Sequence, residues 1–292
     1  MAELLKGKPV VDRMAEDMRG RIASLEEQGV KPTLALVRLG QRPDDLSYER
    51  TAVKRAAGLG IHTKPYVLDE FAPEAALKAT LQSINYDKTV HGCLMFRPLP
   101  KHLKADQDEI CNRLAPQKDV DCMTHMSNAG VFEGLKDLGF APCTPAACME
   151  ILDFYGIDCK GKNAVVIGRS LVVGKPAAMM LMGKNATVTV CHTKTVNTAE
   201  ICKGADIIVS AAGVLNSLTA DFVRPGQIVI DVSINWDANK PNAKGGLGGI
   251  AGDAKFDEVE PIVDAITPVP GGVGSVTTSV LMKHVAEAAE RV

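Results

Sequence analysis

The first hundred residues alternate between two patterns of hydrophobic and polar positions. Apolar residues at helical spacing predict a helix over residues 4–27, and the apolar run over 32–39, which ends at Gly40, predicts a buried strand. Because helices connect successive strands, we expect a parallel or mostly parallel sheet. The same patterns predict helices over 47–59 and 73–85 and strands over 63–68 and 92–96.

A second alternation begins after residues 117–144, which we expect to form a loop. A predicted helix over 145–155 opens it, and the order of strands and helices is typical of a smaller Rossmann-like lobe. The predicted strands of this lobe lie near Ala164, Thr187, Asp206 and Ile228.

The last part of the chain contains a Gly- and Pro-rich segment over 265–278, a predicted loop, and then a helix over 279–291. We expect this closing helix to return to the first lobe. The expected fold class is therefore α/β with two lobes. An N-terminal α/β domain would comprise residues 1–143 plus 273–292, and a Rossmann-like domain residues 144–272.

Composition and charge narrow the class of protein. With 292 residues, 46% hydrophobic and 23% charged, the chain is typical of a soluble α/β protein with two lobes. A formal net charge of −2 without a long basic block argues against nucleic-acid and membrane-surface partners. Residues 1–12 show no signal-peptide pattern, and no apolar run approaches the roughly 18 residues of a membrane span, so we expect a cytoplasmic protein.

Eight cysteines are scattered along the chain without a C-x-x-C pair or a neighbouring histidine cluster. We interpret them as reduced, mostly buried residues, and we expect no metal site.

Residues 164–176 read A-V-V-I-G-R-S-L-V-V-G-K-P, which joins an apolar strand to a glycine turn and a helix start. Gly168 allows a tight turn, and Gly174 allows the helix to approach the sheet, as a dinucleotide pyrophosphate requires. The spacing G-x-S-x-x-x-G differs from the common G-x-G-x-x-G, so an ordinary strand-to-helix turn stays open as an alternative. The candidate cofactor contacts are Gly168, Arg169, Ser170 and Val173.

The next strand of this lobe ends in C-H-T-K over residues 191–194, without the carboxylate that many NAD sites place there. Thr193 and Lys194, with Arg169 in the first turn, suit a 2′-phosphate, so we favour NADP over NAD. A solvated strand end is the alternative for Lys194. The further candidate cofactor contacts are Ala211 and Gly213, small residues that would admit the nicotinamide ribose or simply pack closely, together with Ile234 and Thr277.

Three more segments extend the pattern: G-x-x-P leading to S-Y over 40–48, P-x-K-D-V-D over 116–121, and T-P-V-P-G-G-V-G over 267–274. With residues 168–176 and 191–195, they stand in the order of the methylenetetrahydrofolate dehydrogenase/cyclohydrolase family, which the chain closely resembles over essentially its entire length.

The resemblance implies a folate cleft between the two lobes, with 5,10-methylenetetrahydrofolate, in a form that can be polyglutamylated, as the substrate. Tyr48 would lie against the folate rings, and Asp121 would hydrogen-bond the pterin; both are the expected catalytic residues. The other implied folate contacts are Leu99, Pro270, Gly271 and Gly274. The resemblance also implies hydride transfer to the nicotinamide and a homodimer.

Two departures from the family concern the cyclohydrolase step. Bifunctional members carry a lysine four residues after the tyrosine and a glutamine in the strand motif; here these positions are Ala52 and Phe96. We therefore expect a dehydrogenase that lacks or nearly lacks cyclohydrolase activity. The alternatives are a bifunctional enzyme with a non-standard base and, from another class, a non-catalytic folate/NADP sensor. Cys122 and Ser233 stand where the family usually has glycine, and Ser275 stands where it usually has proline. The sequence does not determine the conformation of the loops at these three positions.

Overall fold

The computed structural model describes residues 1–135, 137–241 and 246–292. In chain order the strands are β1 (Glu3–Leu4), β2 (Thr33–Leu39), β3 (His62–Leu68), β4 (Gly92–Met95), β5 (Asn163–Ile167), β6 (Thr187–Cys191), β7 (Ile207–Ser210), β8 (Ile228–Asp231), β9 (Asn235–Pro241), β10 (Leu247–Ala251) and β11 (Ala265–Ile266). The helices are α1 (Gly7–Glu27), α2 (Pro43–Ala57), α3 (Glu74–Tyr86), α4 (Gln107–Cys111), α5 (His125–Glu133), α6 (Cys143–Phe154), α7 (Gly174–Gly183), α8 (Thr198–Lys203), α9 (Phe256–Val259) and α10 (Val273–Ala289). Short 3₁₀ turns cover Lys101–Leu103, Pro116–Lys118 and Ala220–Phe222.

The chain forms two compact units. The N-terminal unit comprises Arg13–Cys143 and Thr278–Val292, and the C-terminal unit comprises Met1–Asp12 and Thr144–Thr277. The sequence placed residues 1–12 with the N-terminal domain instead. In the structure they group with the C-terminal unit because β1 pairs with β11 and the backbone N–H of Gly7 donates to the Gly271 carbonyl at 2.8 Å.

The N-terminal unit is built on a parallel three-stranded sheet in the order β3-β2-β4. Strand β2 is the central strand, and its apolar residues are buried on both faces, as expected for a parallel sheet covered by helices. Helix α3 contributes Leu77, Leu81 and Ile84, which recur at helical spacing and are fully buried in the same core. The periodicity of the sequence therefore corresponds to the packing of this unit.

The C-terminal unit contains a six-stranded parallel sheet in the order β1-β11-β8-β7-β5-β6. This confirms the predicted Rossmann-like lobe. Strand β5 lies between β6 and β7. The chain first passes from β5 to β6 on one side and then crosses back to β7 on the other side of β5. Such a reversal leaves a crevice at the carboxyl ends of the strands, where α/β proteins bind ligands.

Three elements differ from the sequence-based prediction. The expected loop over 117–144 contains α5, whose buried residues Ser127 and Gly130 are small and show no apolar periodicity. Helix α10 begins at Val273, six residues before the predicted start, so Gly274 and Thr277 are helical rather than part of a loop. Strands β9 and β10 form an antiparallel pair that was not predicted.

All eight cysteines are free and buried, which confirms their interpretation as reduced core residues. Burial raises the pKa of each thiol, as for Cys111, where it reaches about 11, and Cys148, where it reaches about 12. None of the helices within the described ranges is long and apolar enough to span a lipid bilayer.

The core packing of α3 predicts a specific loss of stability. Replacing Leu81, which is 0% exposed, by Ala should lower the free energy of unfolding by about 2–5 kcal/mol, because the buried methyl groups leave a cavity. The matched control is Gln82→Ala, an exposed neighbour on the same helix, for which we expect a change within about 0.5 kcal/mol. Urea unfolding of both variants measures the difference; equal stabilities would contradict the assignment of this core.

Candidate active site

The turn between β5 and α7 is closely packed. Gly168 has φ +128°, which side chains rarely adopt, and a Cβ atom there would overlap the Ala211 carbonyl. A Cβ atom at Gly174 would overlap the Gly168 carbonyl. The Ser170 hydroxyl accepts hydrogen bonds from the backbone N–H groups of Val173 (3.1 Å) and Gly174 (3.4 Å). Because Gly168 and Gly174 have no side chains, backbone segments pack closely at this turn. A ligand phosphate can therefore approach the backbone N–H groups at the start of α7.

The end of β6 lies beside this turn, because β6 pairs with β5 and the Gly168 N–H donates to the Cys191 carbonyl at 2.8 Å. Beyond Cys191, the backbone N–H of Lys194 donates to His192 Nδ1 at 3.1 Å, which holds the chain in a tight turn. Thr193, Lys194 and Arg169 are all exposed. Two cations and a hydroxyl therefore follow neighbouring strands, an arrangement that favours a phosphate over a neutral ribose.

Asp253 organises the loop after β7. Its buried carboxylate accepts hydrogen bonds from the backbone N–H groups of Ala212 (2.7 Å), Gly213 (3.2 Å) and Val214 (2.9 Å). It also accepts from the Ser210 and Ser233 hydroxyls and from Asn235 Nδ2. Sequence reasoning missed this residue; the signal that could have found it is a lone carboxylate in the segment I-A-G-D-A over 250–254. The shape of the loop that contains Ala211 and Gly213 depends on Asp253.

Asp231 in turn positions Asp253. Its buried carboxylate accepts from the backbone N–H groups of Asp253 (3.0 Å) and Ala254 (2.8 Å). Burial raises the pKa of the Asp231 carboxyl to about 6, although the two N–H donors oppose this shift.

The remaining candidate residues of the C-terminal unit lie near the start of α10. Ile234 is 66% exposed, and its Cδ1 atom lies 3.5 Å from the position that a Cβ atom would take at Gly274. The Thr277 hydroxyl donates to the Val273 carbonyl at 3.3 Å. Pro270 follows a cis peptide bond, and Gly271 has φ +102°. The structure therefore places Ile234 and Gly274 together, with Pro270 and Gly271 in the turn that precedes the helix.

In the N-terminal unit, Tyr48 projects from α2 and is half-buried. Its ring meets the ring of Phe96 edge to face, with 6.2 Å between the centroids. Burial and the nearby Asp121 carboxylate raise the pKa of the Tyr48 hydroxyl well above its usual value, although a hydrogen bond with the Thr278 side chain opposes the shift. The phenol therefore stays protonated and can act as a hydrogen-bond donor.

Asp121 is held by Arg97, which follows β4; the Arg97 Nη2 and Asp121 Oδ2 atoms are 2.9 Å apart. Burial raises the pKa of the Asp121 carboxyl, while the Arg97 guanidinium acts to lower it. Sequence reasoning did not assign Arg97 a role. A paired, enclosed carboxylate in this position is suited to accept hydrogen bonds from N–H groups of a ligand.

Asp119, two residues earlier, fixes the turn that contains Asp121. Its buried carboxylate accepts from the backbone N–H groups of Met123 and Thr124, each at 2.8 Å, and from the hydroxyls of Thr124 (2.7 Å) and Ser127 (2.6 Å). Within this turn Cys122 has φ +54°, a conformation that glycine adopts more readily. The Asp119 hydrogen bonds hold the backbone in that conformation without a glycine.

The two residues that depart from the family at the cyclohydrolase positions are both enclosed. Ala52 is 0% exposed on the buried face of α2, and Phe96 is 7% exposed. Phe96 and Leu99 line a cavity of about 570 Å³ together with Pro98 and Pro100. Leu99 is fixed there because its backbone N–H donates to Gln107 Oε1 at 2.9 Å. Phe96 therefore contacts the Tyr48 ring and lines the same cavity as Leu99.

No group of three or more His, Cys, Asp or Glu side chains in residues 1–135, 137–241 and 246–292 could hold a metal ion.

A Rossmann-like sheet with a closed glycine turn at the reversal point of its strands defines a dinucleotide-binding α/β protein. Residues 142–292 match the family model described as tetrahydrofolate dehydrogenase/cyclohydrolase, NAD(P)-binding domain, and residues 5–121 match the catalytic domain of the same family. The chain belongs to the tetrahydrofolate dehydrogenase/cyclohydrolase family, which confirms the resemblance identified from its motifs.

Relatives match along nearly the whole chain. The bifunctional protein FolD of Carboxydothermus hydrogenoformans is 48% identical over 290 residues, covering 99% of this chain and 98% of that protein. The crystal structure of the bifunctional FolD enzyme from Campylobacter jejuni is 37% identical with a TM-score of 0.91, covering 100% and 99% of the two chains. The Trypanosoma brucei FolD, in complex with NADP cofactor and an inhibitor, is 32% identical with a TM-score of 0.90, covering 99% and 98%.

The raised pKa of Asp231 predicts a pH dependence of stability. The folded carboxyl titrates at about 6 and the unfolded one at its ordinary value of 3.8. The folded state therefore binds the proton more tightly, and the resulting stabilisation is complete below about pH 4 and is lost as the pH rises through about 6. At about 1.4 kcal/mol per pKa unit, the difference is at most about 3 kcal/mol.

Urea unfolding across this pH range measures the effect. As the pH rises from about 4 to 6, the free energy of unfolding of the unchanged protein should fall relative to that of Asp231→Asn. Asp221→Asn, which removes an exposed carboxylate of the same unit, should follow the unchanged protein. Parallel curves for the unchanged protein and Asp231→Asn would contradict the shifted titration.

Proposed function

We propose that this protein transfers a hydride from 5,10-methylenetetrahydrofolate to NADP, giving 5,10-methenyltetrahydrofolate. The observation that carries the proposal is the turn from Gly168 to Gly174, which is closed by backbone contacts and is followed on the neighbouring strand by exposed Thr193 and Lys194. Family membership of both halves of the chain supports the folate substrate.

The chain's residues would act by binding and orientation. Bound NADP supplies a nicotinamide C4 atom that accepts a hydride. The folate carbon that loses the hydride becomes a cation stabilised by its two adjacent nitrogens, so no side chain is required to move a proton. Tyr48 offers a flat ring with a protonated hydroxyl, and Asp121, held by Arg97, would accept hydrogen bonds from pterin N–H groups. Holding two reactants at reacting distance can supply much of the rate.

The preference for NADP rests on charge. The carboxylate that would bind a ribose 2′-hydroxyl and repel a 2′-phosphate is absent from residues 191–195, where the sequence reads C-H-T-K-T. Lys194 and Arg169 are exposed and follow neighbouring strands, so both can approach the same phosphate. The NADP complex of the Trypanosoma brucei relative is a second support.

We expect purified protein to reduce NADP faster than NAD when it is given 5,10-methylenetetrahydrofolate, as measured by absorbance of the reduced nicotinamide. In Lys194→Gln the KM for NADP should rise about tenfold while the KM for NAD stays nearly constant, because a charge-assisted hydrogen bond to phosphate is lost. The control Lys162→Gln removes an exposed cation elsewhere on the unit and should change neither value. Binding of both ligands without reduction of either cofactor would favour the non-catalytic sensor instead.

The hydrolysis step is where relatives and residues disagree. The names of relatives that match along nearly the whole chain describe bifunctional enzymes, and this supports the bifunctional alternative over the expected loss of cyclohydrolase activity. Two side chains support the loss: Ala52 offers no proton-transferring group, and Phe96 offers only a ring. We retain the dehydrogenase-only activity as a proposal that rests on these two positions, with bifunctional activity through a non-standard base as the second candidate.

The double variant Ala52→Lys with Phe96→Gln separates the two candidates. If the missing groups limit hydrolysis, the unchanged protein accumulates methenyltetrahydrofolate, and the double variant converts it to 10-formyltetrahydrofolate at least about 100-fold faster, the lower end of what a positioned acid or base contributes. Both species are followed by absorbance before any acid quench. Prompt hydrolysis by the unchanged protein would establish the bifunctional alternative. The single variant Phe96→Gln is the control for altered packing around Tyr48 and should leave hydrolysis unchanged.

The polyglutamylated form of the substrate, the homodimer and the cytoplasmic location stay predictions. Sedimentation of the purified protein tests the dimer, and comparison of KM values for mono- and polyglutamylated folate tests the substrate form.

A further inference from the structure

A cavity of about 650 Å³ lies between α1 and α2 in the N-terminal unit. Nine residues line it, and four of these are cations: Arg19, Arg50, Lys54 and Arg55. The lining contains no aspartate or glutamate, although the chain as a whole has a formal net charge of −2. The volume lies within the range of small-molecule sites, which is about 300–1,000 Å³.

The spacing of residues on α2 concentrates this charge. Ser47, Arg50, Lys54 and Gly58 recur three or four positions apart and therefore share one face of the helix. Arg50 and Lys54 are four residues apart, so their like charges repel each other. The buried face of α2, with Ala52 and Ala56, is a separate one.

The three arginines of the cavity differ from the other arginines of residues 13–135 in having no acidic partner. Residues 13–135 contain nine arginines, and six of them form ion pairs with aspartate or glutamate. The other three, Arg19, Arg50 and Arg55, form none within the part of the chain that the structure describes, and all three line this cavity.

Two of the three acids of α2 are already engaged elsewhere, and the third, Asp44 in the first turn, does not line the cavity. Glu49 pairs with Arg38 at 2.6 Å, and Asp45 pairs with Arg42 at 2.7 Å. Unpaired like charges gathered in a concave surface raise the local potential, which a bound anion would relieve. Arginine side chains also bind phosphate and carboxylate groups through two parallel hydrogen bonds.

We propose that this cavity, which we call the basic groove, binds a compact polyanion that carries two or more phosphate or carboxylate groups. Arg50 and Lys54 on α2 would contact one anionic group, and Arg19 on α1 would contact another. The site is separate from the dinucleotide turn, which is in the other unit, and does not depend on the proposed function.

Isothermal titration calorimetry of the full chain with inorganic pyrophosphate and, separately, with citrate tests the groove. We expect at least one of the two probes to bind, and the one that binds more tightly identifies phosphate or carboxylate as the preferred group. In Arg50→Gln with Lys54→Gln the affinity should fall about tenfold or more, because charge-assisted hydrogen bonds are lost.

Two controls locate the binding. Lys31→Gln with Lys88→Gln removes the same formal charge from exposed positions of the same unit and should leave the affinity within about twofold. Lys194→Gln should also leave binding at the basic groove unchanged. This control distinguishes pyrophosphate bound in the groove from pyrophosphate bound at the dinucleotide turn. Absence of binding by either probe, equal affinity in the Arg50/Lys54 variant, or an equal loss in the Lys31/Lys88 control would overturn the proposal.

Discussion

Buried carboxylates that collect several hydrogen-bond donors determine the loops on which both candidate ligand sites depend. Asp253 gathers three backbone N–H groups and three side-chain donors in the C-terminal unit. Asp119 gathers two backbone N–H groups and two hydroxyls in the N-terminal unit. A buried charge is costly unless its hydrogen-bonding capacity is filled, and here the donors come from the loops themselves. Each carboxylate therefore selects one loop conformation among many.

Each of these two carboxylates holds a loop that contains candidate ligand-binding residues. The carboxylate itself is not one of the candidate ligand contacts. Asp253 fixes the backbone around Ala211 and Gly213, and that backbone closes the space beside Gly168. Asp119 fixes the turn from which Asp121 reaches Arg97. The support is local in each case, so each unit holds its own candidate binding residues in place.

Sequence reasoning found the parts of the molecule whose signals are periodic or conformationally demanding. Buried strands such as β2, and the glycine turn at Gly168, depend on apolar runs and on a backbone angle that few residues accept. Helix α5 was missed because its buried positions are Ser127 and Gly130, which leave no apolar stripe. The start of α10 was missed because a P-G-G sequence indicates a loop, whereas the helix begins directly after it.

The roles of Asp119, Asp253 and Arg97 were out of reach for a physical reason. The sequence around an aspartate does not indicate where its carboxylate oxygens point. The hydrogen-bond donors can also be distant in sequence, as Ser210 lies 43 positions from Asp253. Arg97 directly follows the strand predicted over 92–96, and its pairing with Asp121 spans 24 positions. Such roles emerge only when the fold brings distant segments together.

The buried thiols have a consequence for the handling of the protein. A thiolate is the reactive form of cysteine, and burial keeps all eight side chains protonated and enclosed while the chain is folded. A buried thiol can then be alkylated only when its segment opens, so the alkylation rate of each cysteine reports how often its surroundings open. Cys93 lies in β4 of the N-terminal unit and Cys202 in α8 of the C-terminal unit. Their alkylation rates therefore report which of the two units unfolds locally first.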